Sequence, residues 1–425
     1  MLHIIAEPRA DALERARPDG PGRGSPAGGR TPTGRAAHAV AARLTAQGMS
    51  VWLDGSGRTG RDTGALRELI AQGHVTGIVA PWSSSAPSST PSSTPSSARP
   101  PTPIPPLGEV SASGEPPQGR TDGLSAEEVL WDRTVEAVRQ LCDALLEVHA
   151  RTGGREGLVS VGLDPRNAWD AGATLAEARA LWRAVDRPNL AVGIPATAQN
   201  LPVVTACLAE SMNVHATLIF SVERFHRVNE CFLDGLEQAR DRGAPLSSLS
   251  AVASFSVSPL DTEVDRALAR AGTAEARALT GTAAIANARL AYEKQRHVLA
   301  SPRWAALAAA GALAPRPVWV STAVRGPGRR DTRYVEELVA PGAVHALSED
   351  TLSAVADRGQ ILGDTVQRHY DDARRVLSYL PWFGISPRTL AASLEAAHLR
   401  AAIATRETLL ASVTAEAATR GAGKE

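Results

Sequence analysis

Short apolar runs alternate with amphipathic stretches along most of the chain. The runs cover residues 50–54, 75–80, 158–163, 190–194, 213–220, 249–255, 318–322 and 343–347. Their length and bounding turn residues predict strands. Helical spacing follows each of them, as over residues 65–72 and 174–185. Eight such units predict an α/β fold, a (β/α)8 TIM barrel, with a doubly wound parallel sheet as the alternative. The helical pattern over residues 125–151 opens with Ser-Ala-Glu-Glu, the spelling of a capping box, and ends near Gly153.

Two segments break the pattern. Residues 1–36 are rich in Gly, Pro and Arg and poor in periodic apolar positions, which predicts a disordered tail. Residues 83–122 form a Ser/Pro-rich loop containing a tandem Ser-Ser-Thr-Pro at 88–95 and then Arg99-Pro-Pro-Thr-Pro-Ile-Pro-Pro106. Prolines deny that loop helix and ladder hydrogen bonds and favour an extended conformation. The barrel is therefore assigned to residues 37–415, interrupted by this loop, and residues 416–425 to a C-terminal tail.

Composition narrows the function classes. The 45 basic residues balance the 45 acidic ones, so a nucleic-acid or anionic-membrane surface is not expected. No apolar run approaches the roughly 20 residues of a membrane helix. The first residues, Met-Leu-His-Ile-Ile-Ala-Glu, lack the basic and apolar regions of a signal peptide. Cys142, Cys207 and Cys231 have no metal-ligand spacing and suit a reducing compartment, so a cytoplasmic protein without metal is expected. Cys207 and Cys231 read as small core residues of outer helices. Gly55-Ser-Gly-Arg-Thr-Gly60 spells a dinucleotide fingerprint. The following run, however, ends Val79-Ala80-Pro81-Trp82 without the acidic residue a ribose needs, and no cofactor is expected. Lysine is confined to Lys294 and Lys424.

Several ordered segments resemble transaldolases of the actinobacterial type. They are Val51-Trp-Leu-Asp54, Ser160-Val-Gly-Leu-Asp-Pro165, Asn189-Leu-Ala-Val-Gly-Ile-Pro-Ala-Thr197, Asn213-Val-His-Ala-Thr-Leu-Ile-Phe-Ser221 and Ala251-Val-Ala-Ser-Phe-Ser-Val-Ser258 with Asp261-Thr-Glu-Val-Asp265. The likeness continues through Ala284-Ile-Ala-Asn287, Trp319-Val-Ser-Thr322 and Tyr334-Val-Glu-Glu-Leu338 and covers about residues 40–415 outside the Ser/Pro loop. It implies a barrel of the class I aldolase type. Such enzymes move a dihydroxyacetone unit from sedoheptulose 7-phosphate to glyceraldehyde 3-phosphate in the pentose phosphate pathway. The chemistry needs a lysine amine as the Schiff-base electron sink, carboxylates to move protons, and cations to hold phosphate.

The resemblance assigns roles residue by residue. Asp54 matches the acid–base aspartate, Thr217 and Ser254 match polar pocket groups, and Arg325 matches a phosphate-binding cation. Gly193 stands at the Schiff-base lysine position and Gly162 at the position of the catalytic glutamate. Pro81 and His215 replace asparagines, and Pro259 replaces a phosphate-binding arginine. Lys294, in a helical pattern over residues 283–297, and Lys424, near the C-terminus, are expected to lie away from the barrel mouth. Arginine cannot substitute, because it stays protonated.

The two glycines read either as decay in an inactive copy or as an enlarged pocket. His215, facing inward by strand alternation, reads as a packed residue or as a new acid–base group. Asp54 is a live acid–base group or a relic. Arg329-Arg330-Asp331 reads as a solvated loop. Three functions stay open: a ligand-binding or regulatory pseudoenzyme, a repurposed lyase or isomerase using Asp54 and His215, and a residual true transaldolase. The expected partner is a small molecule, a sugar phosphate or another carbonyl compound, and an oligomer is compatible with the sequence.

Overall fold

The structure, a computed structural model, describes residues 34–55, 68–73, 75–80, 125–324 and 329–422. Eight parallel strands close into a barrel: β1 (Ser50–Asp54), β2 (Gly77–Val79), β3 (Leu158–Gly162), β4 (Leu190–Pro195), β5 (Val214–Ile219), β6 (Ala251–Ser256), β7 (Arg316–Val320) and β8 (Val344–Leu347). β1 pairs with β8 through Ser50–Val344 and Trp52–Ala346, which seals the cylinder. The doubly wound alternative is thereby removed. All eight apolar runs became strands, because residues buried on both faces of a parallel sheet read as continuous apolar stretches.

Alternation divides each strand between two cores. Trp52, Val79, Leu158, Val252, Val318, Val320, Val344 and Ala346 fill the barrel interior. Val51, Leu53, Val159, Val161, Val192 and Ile194 point outward into the larger core beneath the helices. The helix Ala126–Arg151 begins as its spelling predicts: Ser125 accepts from the Glu128 amide and Glu128 reaches back to the Ser125 amide. Gly153, just beyond its end, takes φ +59°, which glycine accommodates without strain.

Both ends of the chain differ from the expected boundaries. A helix begins at Gly34, inside the span assigned to the tail. At the other end the helix Pro387–Ala422 runs through most of the span assigned to a C-terminal tail. Its Ala- and Leu-rich sequence favours helix, and Glu416 pairs with Arg133 at 2.9 Å. In the Arg329–Asp331 stretch, Arg330 and Asp331 are solvated, paired at the surface with Glu336 and Arg358, while Arg329 is largely covered and pairs with Asp265 at 2.7 Å. The Ser/Pro loop at 83–122, Pro81, Arg325, Lys424, most of the fingerprint glycines and the first three residues of the helical pattern at 65–72 lie outside the described residues.

Candidate active site at the barrel mouth

The two ends of the barrel are built differently, and the N-terminal end is closed. Ser50 opens β1, Arg316 opens β7, and Glu156 precedes β3, so their side chains meet at the bottom of the cylinder. The Glu156 carboxylate pairs with Arg316 at 2.6 Å and accepts from the hydroxyls of Ser50 at 2.5 Å and Thr76 at 2.8 Å. The Arg316 guanidinium also donates to the Gly342 and Arg155 carbonyls. Burial pushes its pKa below the ordinary arginine value. The pair is enclosed but fully partnered.

Several of the residues singled out in the sequence sit toward the other end. Asp54 ends β1 and is half-buried. Gly162, Gly193 and His215 form one row of Cα partners across β3, β4 and β5. Thr217 lies two residues further along β5, opposite Pro195, and is 3 % exposed. Ser254 projects inward from β6. Pro259 lies in the first turn of the helix Ser258–Ala271. Lys294 is exposed on the outer helix Ala283–Leu299, on the outside of the barrel.

At Gly193 the enlarged pocket did not form. A Cβ built there would lie 2.8 Å from the Val161 carbonyl oxygen and 2.9 Å from Gly162 Cα. Both neighbours are backbone of β3, so no side-chain movement relieves the contact. Adjacent main chain occupies the place a side chain would need. Gly162 does line a cavity of about 340 Å³, together with Glu177, Trp131, Leu181, Glu127 and Arg406. Glu177 accepts from the Asp164 amide at 2.8 Å and from Asn167 at 3.0 Å, and burial pushes its carboxyl pKa up.

His215 crosses the interior as a tie. Its Nδ1 lies 2.6 Å from the Ser160 hydroxyl, and its Nε2 hydrogen-bonds with the Ser254 hydroxyl. The Trp52 ring meets it edge-on at 6.3 Å between centroids. The imidazole is fully buried, and desolvation pushes its pKa down to about 3. In the neutral ring one nitrogen donates and the other accepts, which suits two hydroxyls that do either. So placed, His215 reaches a ligand only through Ser160 or Ser254.

Two strand ends near the mouth carry strained backbone. Leu218, where the β5–β6 register shifts, has φ +59°, and Ser321, just after β7, has φ +56°. Each costs on the order of 1–3 kcal/mol, a strain that tends to collect at functional sites. Among the described residues, no group of three His, Cys, Asp or Glu side chains could hold a metal ion. No described helix is long and apolar enough to cross a membrane. Cys142 and Cys207 are buried, with thiols pushed up to about 12 by desolvation, and Cys231 is half-buried.

Sequence reasoning passed over Ser160 and Trp52. Each stands two positions before a residue it did select, Gly162 and Asp54, so strand alternation alone would have placed both in the interior. Nothing local marks Arg406 or Glu177, whose partners lie far away or on another element.

Comparison with known proteins agrees with this architecture. The family model for transaldolase/fructose-6-phosphate aldolase matches residues 114–413. The chain is 45 % identical over 358 residues to a transaldolase of Thermobifida fusca, covering 83 % of this chain and 91 % of that protein. It is 42 % identical over 371 residues to a transaldolase of Arthrobacter sp., covering 87 % and 95 %. It is 41 % identical over 388 residues to Transaldolase 1 of Streptomyces coelicolor, covering 90 % and 96 %. A closed eight-stranded barrel, matched along most of its length by such relatives, belongs to the transaldolase family.

Proposed function

We propose that this transaldolase-family barrel does not form a Schiff base and acts in the cytoplasm as a ligand-binding or regulatory protein for a small carbonyl compound or sugar phosphate. The observation that carries the reading is the closure at Gly193, where β3 backbone occupies the space a Cβ would need. A Schiff base requires a primary amine inside the pocket, and loss of that electron sink removes the route for C–C cleavage. The one described lysine, Lys294, is exposed on an outer helix. Asp54, Thr217 and Ser254 remain to hold a polar ligand without bonding to it, with Arg325 as the expected cation for a phosphate.

The enclosure of His215 weighs against the repurposed lyase or isomerase, because a ring held neutral down to about pH 3 is a poor proton acceptor near neutrality. The names of the relatives favour the residual transaldolase. The two are separated by borohydride trapping with fructose 6-phosphate, with the Thermobifida fusca relative as positive control and intact-mass and peptide analysis as readout. No adduct, together with a rise in melting temperature on adding the sugar phosphate, is the expected result. A stoichiometric adduct at Lys294 would overturn the proposal. Absence of both adduct and thermal shift would remove sugar phosphates as the ligand.

A further inference from the structure

The helix Pro387–Ala422 is tied to the ends of three consecutive strands. Past β3, the Asp164 carboxylate pairs with Arg406 at 2.7 Å. Past β4, the Ala196 carbonyl accepts from Arg224, which in turn pairs with Glu395 at 3.6 Å. Past β5, the Phe220 ring packs on His398 with centroids 4.9 Å apart. These strands carry Gly162, Gly193 and Thr217, each two or three residues before its tie. The helix therefore arches over the part of the mouth that holds most of the candidate site.

Its two halves are held by different forces. Leu394 and Leu399 are buried in the main core, which anchors the first half through apolar contact. Beyond them Ile403, Leu409 and Leu410 are only half-buried and Val413 is buried outside that core, and ion pairs add ties: Arg406 to Asp164 and, at 3.4 Å, to Glu127, then Arg133 to Glu416. Asp164 is a strong anchor. Burial pushes its carboxyl up, yet the bonds from Arg166 and the charge of Arg406 hold it below the ordinary aspartate value. Arg406 also lines the cavity at the end of β3. Segments with few apolar contacts open at the lowest free energy.

We propose that the helix is a strap with a fixed and a releasable half, hinged between Leu399 and Arg406. The Arg406–Asp164 pair is its latch over the cavity beside Gly162. The inference stands on the packing of the helix and does not depend on whether Schiff-base chemistry survives.

The test is peptide-resolved hydrogen exchange on the full chain, comparing wild type, Arg406→Ala and Arg400→Ala, the last removing an exposed arginine from the same helix. Loss of the latch is expected to speed exchange over residues 403–416 by about tenfold or more, the effect of losing a charged hydrogen bond. Residues 390–399 should keep wild-type rates, and Arg400→Ala should change neither segment. Unchanged exchange in Arg406→Ala, or equal acceleration along the whole helix, overturns the proposal. Should Arg406→Ala fail to fold, Arg406→Gln, which keeps the stem and a polar head without the charge, is compared with wild type by the same exchange measurement. Selective acceleration of 403–416 supports the latch, and no difference overturns it.

Discussion

The two ends of the barrel interior meet the same physical problem with opposite solutions. At the bottom, Arg316 and Glu156 are taken out of water, and every nearby group is turned to compensate them. At the mouth, two positions singled out by the resemblance, Gly162 and Gly193, carry no side chain, and β3 main chain lies where a Cβ at Gly193 would stand. Deeper in the interior, a neutral histidine bridges two serines. The enclosed bottom pair is a structural tie, whereas the mouth holds the strand ends from which a ligand can be reached. In barrels of this kind the bottom serves stability and the mouth serves chemistry.

The comparison is most exposed at Arg316. Arg316→Met leaves the Glu156 carboxylate buried and uncompensated and is expected to cost about 3–5 kcal/mol, read from denaturant unfolding. Adding Glu156→Gln should recover most of that loss; a double variant as unstable as the single one would mean the pair does not act as a unit.

Acid should act next most strongly, on the barrel interior between the two ends. The folded pKa of His215, about 3, lies below its ordinary 6.5, so the unfolded chain takes up the proton first. Its stabilisation is complete above about pH 6.5 and is lost as pH falls toward 3, by about 1.4 kcal/mol per unit. His345 on β8, also buried and pushed down to about 3, adds a similar slope. His215→Asn should remove about half of the acid sensitivity owed to the two, measured as the denaturation midpoint against pH.

Gly193→Ala comes third, at about 1–3 kcal/mol, because the added methyl meets backbone. For the same reason Gly193→Lys is expected to fold less stably and to give no borohydride adduct; restored trapping would show that β3 readily yields. Ser160→Ala should have the smallest effect, about 1–2 kcal/mol, by leaving His215 Nδ1 without its hydroxyl partner.

Much of the fold was legible in the sequence, and less of the site. Strand positions could be read because a doubly buried parallel strand declares itself by length and apolarity. The helix start at Ser125 could be read because capping is local. The C-terminal helix was cut short because its weakly amphipathic end is held by Arg133, far away in sequence. Asp54, Gly162, Gly193, Thr217 and Ser254 were placed at strand ends by the resemblance and by alternation. Whether an empty position means space or closure was not legible at all.

The sequence by itself determined the barrel, its family, the inward facing of His215 and the absence of an amine at position 193. All of these follow from residue identity and from periods of 2.0 and 3.6, which are local properties. Only the tertiary structure decided that β3 backbone fills the place of the missing Cβ, that His215 is spent on Ser160 and Ser254, and that Arg406 reaches Asp164. Each depends on the approach of strands and helices far apart in the chain, a distance set by the packing of the whole barrel and by no single segment of it.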